Sequence, residues 1–116
     1  IFVKHYFIWY IIDRDFMINN IPIIMCNSYF KRLKGFMFTK KIDKILCFPK
    51  CNSVHTFFMF KNIDIIMTDK DNVVLYTFYD VKPNKIILPK KGVCYTYELP
   101  VNTIKLNTYE KLKRQD

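Results

Sequence analysis

From Ile45 to Tyr109 the chain is cut into short apolar runs separated by clusters of turn-forming residues. The runs are ILCF (45–48), VHTFFMF (54–60), IDIIMT (63–68), VVLYTFY (73–79), IIL (86–88), VCYTYEL (93–99) and TIKLNTY (103–109). They are rich in β-branched and aromatic side chains, which suit the pleated surface of a sheet. Pro49, Lys61-Asn62, DKDN (69–72), KPNK (82–85) and PKKG supply the breaks. Upstream, FMINNIPIIMC (16–26) reads as two more strands around Asn19-Asn20, a pair that tolerates positive φ and suits a type I′ hairpin turn. Pro22 cannot donate to a ladder and argues for an edge position. About eight short strands at near-regular spacing predict a mainly β domain, a compact sandwich or jelly-roll-like barrel.

One stretch breaks the pattern. In NSYFKRLKG (27–35), Asn27 or Ser28 can cap a helix, Tyr29, Phe30 and Leu33 recur at helical spacing, and Gly35 can end it. One short helix is therefore expected over about residues 28–35, with Lys31, Arg32 and Lys34 toward solvent or a partner. Gly35 and Gly92 are the only glycines, so the turns must rely on Asn, Asp and Pro. A content of 51% hydrophobic and 17% aromatic residues excludes a disordered chain. The length fits one domain, assigned to residues 13–116. Residues 1–12 are set apart as an N-terminal extension, because the chain begins at Ile1 rather than Met. No secretory signal is visible in IFVKHYFIWYII, and no apolar run approaches the ~18–20 residues that cross a bilayer. These features predict a domain without a transmembrane segment, located in the cytoplasm.

The formal net charge is +9, and Lys31, Arg32, Lys34, Lys40, Lys41, Lys44 and Lys50 face only Asp43 over their stretch. A field of that sign attracts acidic proteins or nucleic acid, and it also keeps an apolar protein in solution. Nucleic-acid binding through the Lys31–Lys50 region is one reading, but no aromatic–basic motif of a known module accompanies it. Four cysteines do not make a disulfide scaffold in a chain that can bury a core without one. Cys26 and Cys94 sit inside strand-like runs, where Cys packs as a small hydrophobe.

In CFPKCNSVHTFFM, residues 47–59, Cys47, Cys51, His55 and Met59 recur every fourth position. Thiol, imidazole and thioether ligands suit soft or borderline ions. Four residues of extended strand cover about 13 Å, however, and a metal's ligands lie about 2–2.3 Å from it. A helix would bring them together, but Pro49 breaks one. No cofactor is therefore expected, and Cys51 with His55 is the only pair worth considering for a metal. The same pair could form a thiolate–imidazolium couple, or His55 could serve as a general base, which makes His55 the candidate catalytic residue. Asp64 and Glu98 are carboxylates inside apolar strands, where a charge is costly unless paired or solvated. With Arg32 from the only helix they define a candidate polar site, with His55 nearby, for ligand binding or for clamping the helix to the sheet.

The segments FKRLKGFMF, CNSVHTFFMFKNIDIIMTDKDNVV, VKPNK and YELPVNTI occur in an order that resembles the domain-of-unknown-function 192 family of bacteria and archaea, in its short Gram-positive-like form. The resemblance covers about residues 16–109. It implies a compact, mostly β fold with no assigned activity, and it marks Arg32, Gly35, Met37, His55, Met59, Asp64, Pro83, Glu98 and Pro100. It also implies an acidic or envelope- or secretion-linked protein partner. Phe36 stands where the family pattern has Leu, Val101-Asn102 replaces Ala-Gly, and the usual Gly-Asp near the end is absent, with Asn107-Thr108 in that region. The expectation is a non-catalytic binding or accessory module, the alternative an enzyme using His55 with Cys51 or Asp64.

Overall fold

The computed structural model describes residues 17–113. The extension over residues 1–12 lies outside them. In chain order the elements are β1 (Met17–Ile18), β2 (Ile21–Met25), α1 (Tyr29–Lys34), β3 (Ile45–Pro49), β4 (Val54–His55), β5 (Ile63–Thr68), β6 (Val74–Val81), β7 (Ile86–Ile87) and β8 (Tyr95–Leu99). Six strands form one sheet in the order β1-β2-β3-β8-β5-β6, and β4 pairs with β7 as a separate ribbon. The domain is mainly β and sandwich-like, as expected, but it is not a barrel. The sheet stays open between β1 and β6, because a two-residue edge strand cannot supply the staggered ladder that closure requires.

The hairpin at the start forms as read, with Asn19 and Asn20 at φ 51° and 64°. Pro22 is not on the sheet edge. It pairs with Met17 of β1, and the parallel β2–β3 ladder begins one residue later at Ile23, so the missing N–H interrupts no bond there. Because β2 and β3 run parallel, the chain must cross over between them, and that connection carries α1. Ser28 caps the helix by accepting a hydrogen bond from the Lys31 N–H at 3.1 Å. The Gly35 N–H closes the helix on the Lys31 carbonyl.

Strand alternation divides the core in two. Ile23, Ile45, Cys47, Ile66, Tyr97 and Leu99 point to one face, where Ile104, Leu106 and Leu112 cover them. Leu46, Phe48, Ile63, Ile65 and Met67 point to the other, beneath Phe36, Met59 and the β4–β7 residues Val54 and Ile87. VHTFFMF departs from its expected length, since only Val54 and His55 are strand. Buried Thr56 leaves the ladder: its hydroxyl donates to the Lys82 carbonyl and accepts from the Lys85 N–H, both at 2.8 Å, which fastens the turn around Pro83. TIKLNTY is not a strand. The Tyr79 hydroxyl donates to the Leu106 carbonyl and accepts from the Leu106 N–H, so one side chain takes both groups that a ladder would use.

Candidate functional site

Glu98 lies opposite Leu46 of β3 and Ile65 of β5, so its side chain enters the apolar face that carries Phe48 and Met67. It is 2% exposed, and its Oε1 has no hydrogen-bond partner among the described residues. Burial pushes the carboxyl up from 4.5 to about 8, so near neutral pH it is largely an uncharged acid. Gly35, at the end of α1, stands against it. A Cβ built there would sit 3.2 Å from Glu98 Oε1 and 3.7 Å from Phe48 Cζ, and φ is +49°. Gly35 therefore meets two requirements, the helix cap and the space over the acid.

Arg32 comes from the same helix, and its Nε is also buried without a partner among the described residues. The Arg32–Glu98 fork suggested by the sequence is not made there. Burial is the sole cause acting on Glu98, so the guanidinium does not offset it. Both act on the Cys26 thiol, which is pushed up to about 12 by burial and then by Glu98 and Cys47, with Lys31 and Arg32 pulling the other way. The sequence placed Cys26 in the core, where it is 3% exposed, but not beside Glu98, because nothing there fixes which face it shares. Gly35 did carry a signal, as the only glycine before Gly92.

Asp64 takes a different place. It lies opposite Leu99, so it points to the face away from Glu98. Its Oδ1 accepts from the Asp80 N–H at 2.8 Å and its Oδ2 from the Asn102 N–H at 2.9 Å. The sheet therefore separates two carboxylates that the sequence reading had grouped. Asn102, at φ 67°, supplies the turn after Pro100.

His55 is on the Glu98 side of the sheet, but in another cleft. Its Nδ1 accepts from the Phe57 N–H at 3.2 Å, and its ring stacks on Phe57. The cleft, of about 270 Å³, is lined mainly by Val54, Phe57, Ile86, Ile87, Leu88 and Pro89. Cys51 turns elsewhere, its thiol donating to the Ser53 carbonyl at 3.1 Å. Cys47 packs on the opposite face from Met59 and Cys51, so the fourfold spacing is divided by the sheet. Among the described residues no three His, Cys, Asp or Glu side chains converge as a metal would require. Met37, half-buried, accepts from Thr39 through its carbonyl.

These features define a class: a small mainly β domain with a buried carboxyl, its Oε1 without a partner among the described residues, beneath a short basic helix. Residues 11–111 match the model of the domain-of-unknown-function 192 family, described as "Uncharacterized ACR", and the chain belongs to that family. It is 33% identical over 86 residues to a UPF0127 protein of Thermococcus sibiricus, covering 69% of this chain and 55% of that one. It is 33% identical over 87 residues to a UPF0127 protein of Pyrococcus abyssi, covering 71% and 74%. The chain thus spans about half the length of the first of these relatives, at 55%. Two solved structures share the fold. A putative transcription regulator from Sinorhizobium meliloti superposes with a TM-score of 0.70 at 15% identity, over 81% of each chain. A protein of unknown function from Novosphingobium aromaticivorans superposes with a TM-score of 0.62 at 14% identity, over 71% of this chain and 64% of that one. Among the described residues no helix is long and apolar enough to cross a membrane.

Proposed function

We propose that this domain is a non-catalytic binding module that engages a polar group of its ligand through Glu98. One observation carries the reading: Glu98 Oε1 is buried and lacks a hydrogen-bond partner among the described residues. A buried polar atom left unpaired destabilises the fold, so its retention calls for a use outside folding. As a neutral acid, the group offers one donor and one acceptor side by side, which complements an amide. Gly35 packs directly over Oε1 with no side chain between and is itself half-buried, which puts the carboxyl one residue beneath the surface. Arg32 Nε adds a second donor near the same helix end, suited to a carbonyl oxygen. A peptide-like ligand bearing both groups is the class this chemistry selects.

The test is an amide-resolved NMR titration with N-acetylglycine amide. Saturable shifts at Gly35, Glu98 and Leu99 that vanish in Glu98→Leu are expected. No saturable shift in the wild type, or the same shifts in a folded Glu98→Leu protein, would refute the reading. The pairing of Cys51 with His55 draws no comparable support, since each side chain is committed to a separate backbone group.

A further inference from the structure

Phe38, Phe58 and Phe60 are 61%, 58% and 55% exposed, yet they form one cluster. Phe38 and Phe58 stack at 5.5 Å, Phe60 tilts against Phe38 at 6.4 Å, and the Phe38 N–H donates to the Phe58 carbonyl at 2.9 Å. Both Phe38 and Phe58 have φ of 60°, a left-handed backbone that bulky residues rarely adopt. Elsewhere among the described residues this demand falls mostly on Asn, at positions 19, 20, 72, 84 and 102, with Asp80, Lys50 and Tyr109 as the other non-glycine cases. Two phenylalanines therefore hold an unfavourable backbone, and burial does not compensate them. Their rings serve something outside the fold.

The charges near them in the chain indicate the partner. Lys31, Arg32, Lys34, Lys40, Lys41, Lys44, Lys50 and Lys61 face Asp43 alone along this part of the chain. Tyr29 and Phe30 of α1 are exposed as well, at 80% and 74%. Phe rings bring no polar handle of the kind protein hot spots favour, and the stacked pair turns ring faces toward each other rather than toward a base. Apolar rings with flanking lysines match the acyl boundary and anionic headgroups of a bilayer. We propose that Phe38, Phe58 and Phe60, with Lys40, Lys41 and Lys61 beside them, dock the domain on an anionic lipid surface. This inference goes beyond the binding module and does not depend on Glu98.

Co-sedimentation tests it with phosphatidylcholine vesicles, the same vesicles with phosphatidylglycerol added, and heparin resin as a second polyanion. The wild type is expected to bind the anionic vesicles and to release them in high salt. The triple variant Phe38→Asn, Phe58→Asn, Phe60→Ser should bind them about tenfold more weakly, with an unchanged or higher melting temperature. The pair Lys40→Glu and Lys41→Glu should weaken binding about tenfold or more, on the anionic vesicles only. The proposal is overturned if the wild type ignores anionic vesicles, if the folded triple variant binds them equally, or if the triple variant unfolds. Retention on heparin without vesicle binding would also overturn it, by identifying a nucleic-acid type of surface.

Discussion

Asp64 and Glu98 look alike in the sequence, each a carboxylate between apolar neighbours, and the fold gives them opposite circumstances. Asp64 accepts hydrogen bonds from the Asp80 and Asn102 N–H groups, and both donors belong to residues in left-handed backbone, at φ 57° and 67°. It therefore ties the bend in β6 to the turn after Pro100, and its two oxygens are engaged by the protein itself. Asp64→Asn keeps the shape but turns an amide toward one of those donors. We expect a loss of about 2–3 kcal/mol in chemical unfolding, and an unchanged stability would contradict the bracing role. The sequence identified a carboxylate in need of partners. It did not disclose that the partners are backbone groups, because they lie 16 and 38 residues away in turns whose geometry only the fold fixes.

At the level of elements, the legible features were those with local chemistry. Ser28 and Gly35 bound α1 as the capping rules require, and Asn19-Asn20 makes the hairpin. The misread elements were those decided by distant side chains. VHTFFMF has strand composition, but Thr56 diverts it to the Pro83 turn. TIKLNTY has it too, but Tyr79 occupies the backbone of Leu106. Tyr79→Phe should leave that backbone unpaired and lower stability by about 1–2 kcal/mol. Hydrogen exchange at the Leu106 amide should rise together with that loss. Exchange unchanged from the wild type would mean that packing of Ile104 and Leu106, rather than the hydroxyl, holds the segment.

For the whole molecule, one sheet carries two apolar layers, and the Glu98 Oε1 that no described group satisfies lies in only one of them. The strand count, the one helix among the described residues and the family were readable from periodicity and motif order. The division of the candidate site was not, since face assignment needs the register of β5 on β8. That register places Glu98 in the apolar layer, and the binding role proposed above has it held there at the expense of stability. Its folded-state pKa of about 8 lies above the ordinary 4.5, so folding takes up a proton. Stability from this group is full below pH 4.5, declines as the unfolded chain ionises, and is lost by the time pH passes about 8. The direct measurement is the urea-unfolding free energy of the wild type and of Glu98→Leu, at about pH 5 and about pH 8. The leucine protein is expected to be the more stable by about 1–3 kcal/mol at the higher pH, with a smaller gap at the lower. A leucine protein less stable than the wild type at both pH values would show that the carboxyl belongs to the fold, and would contradict the account.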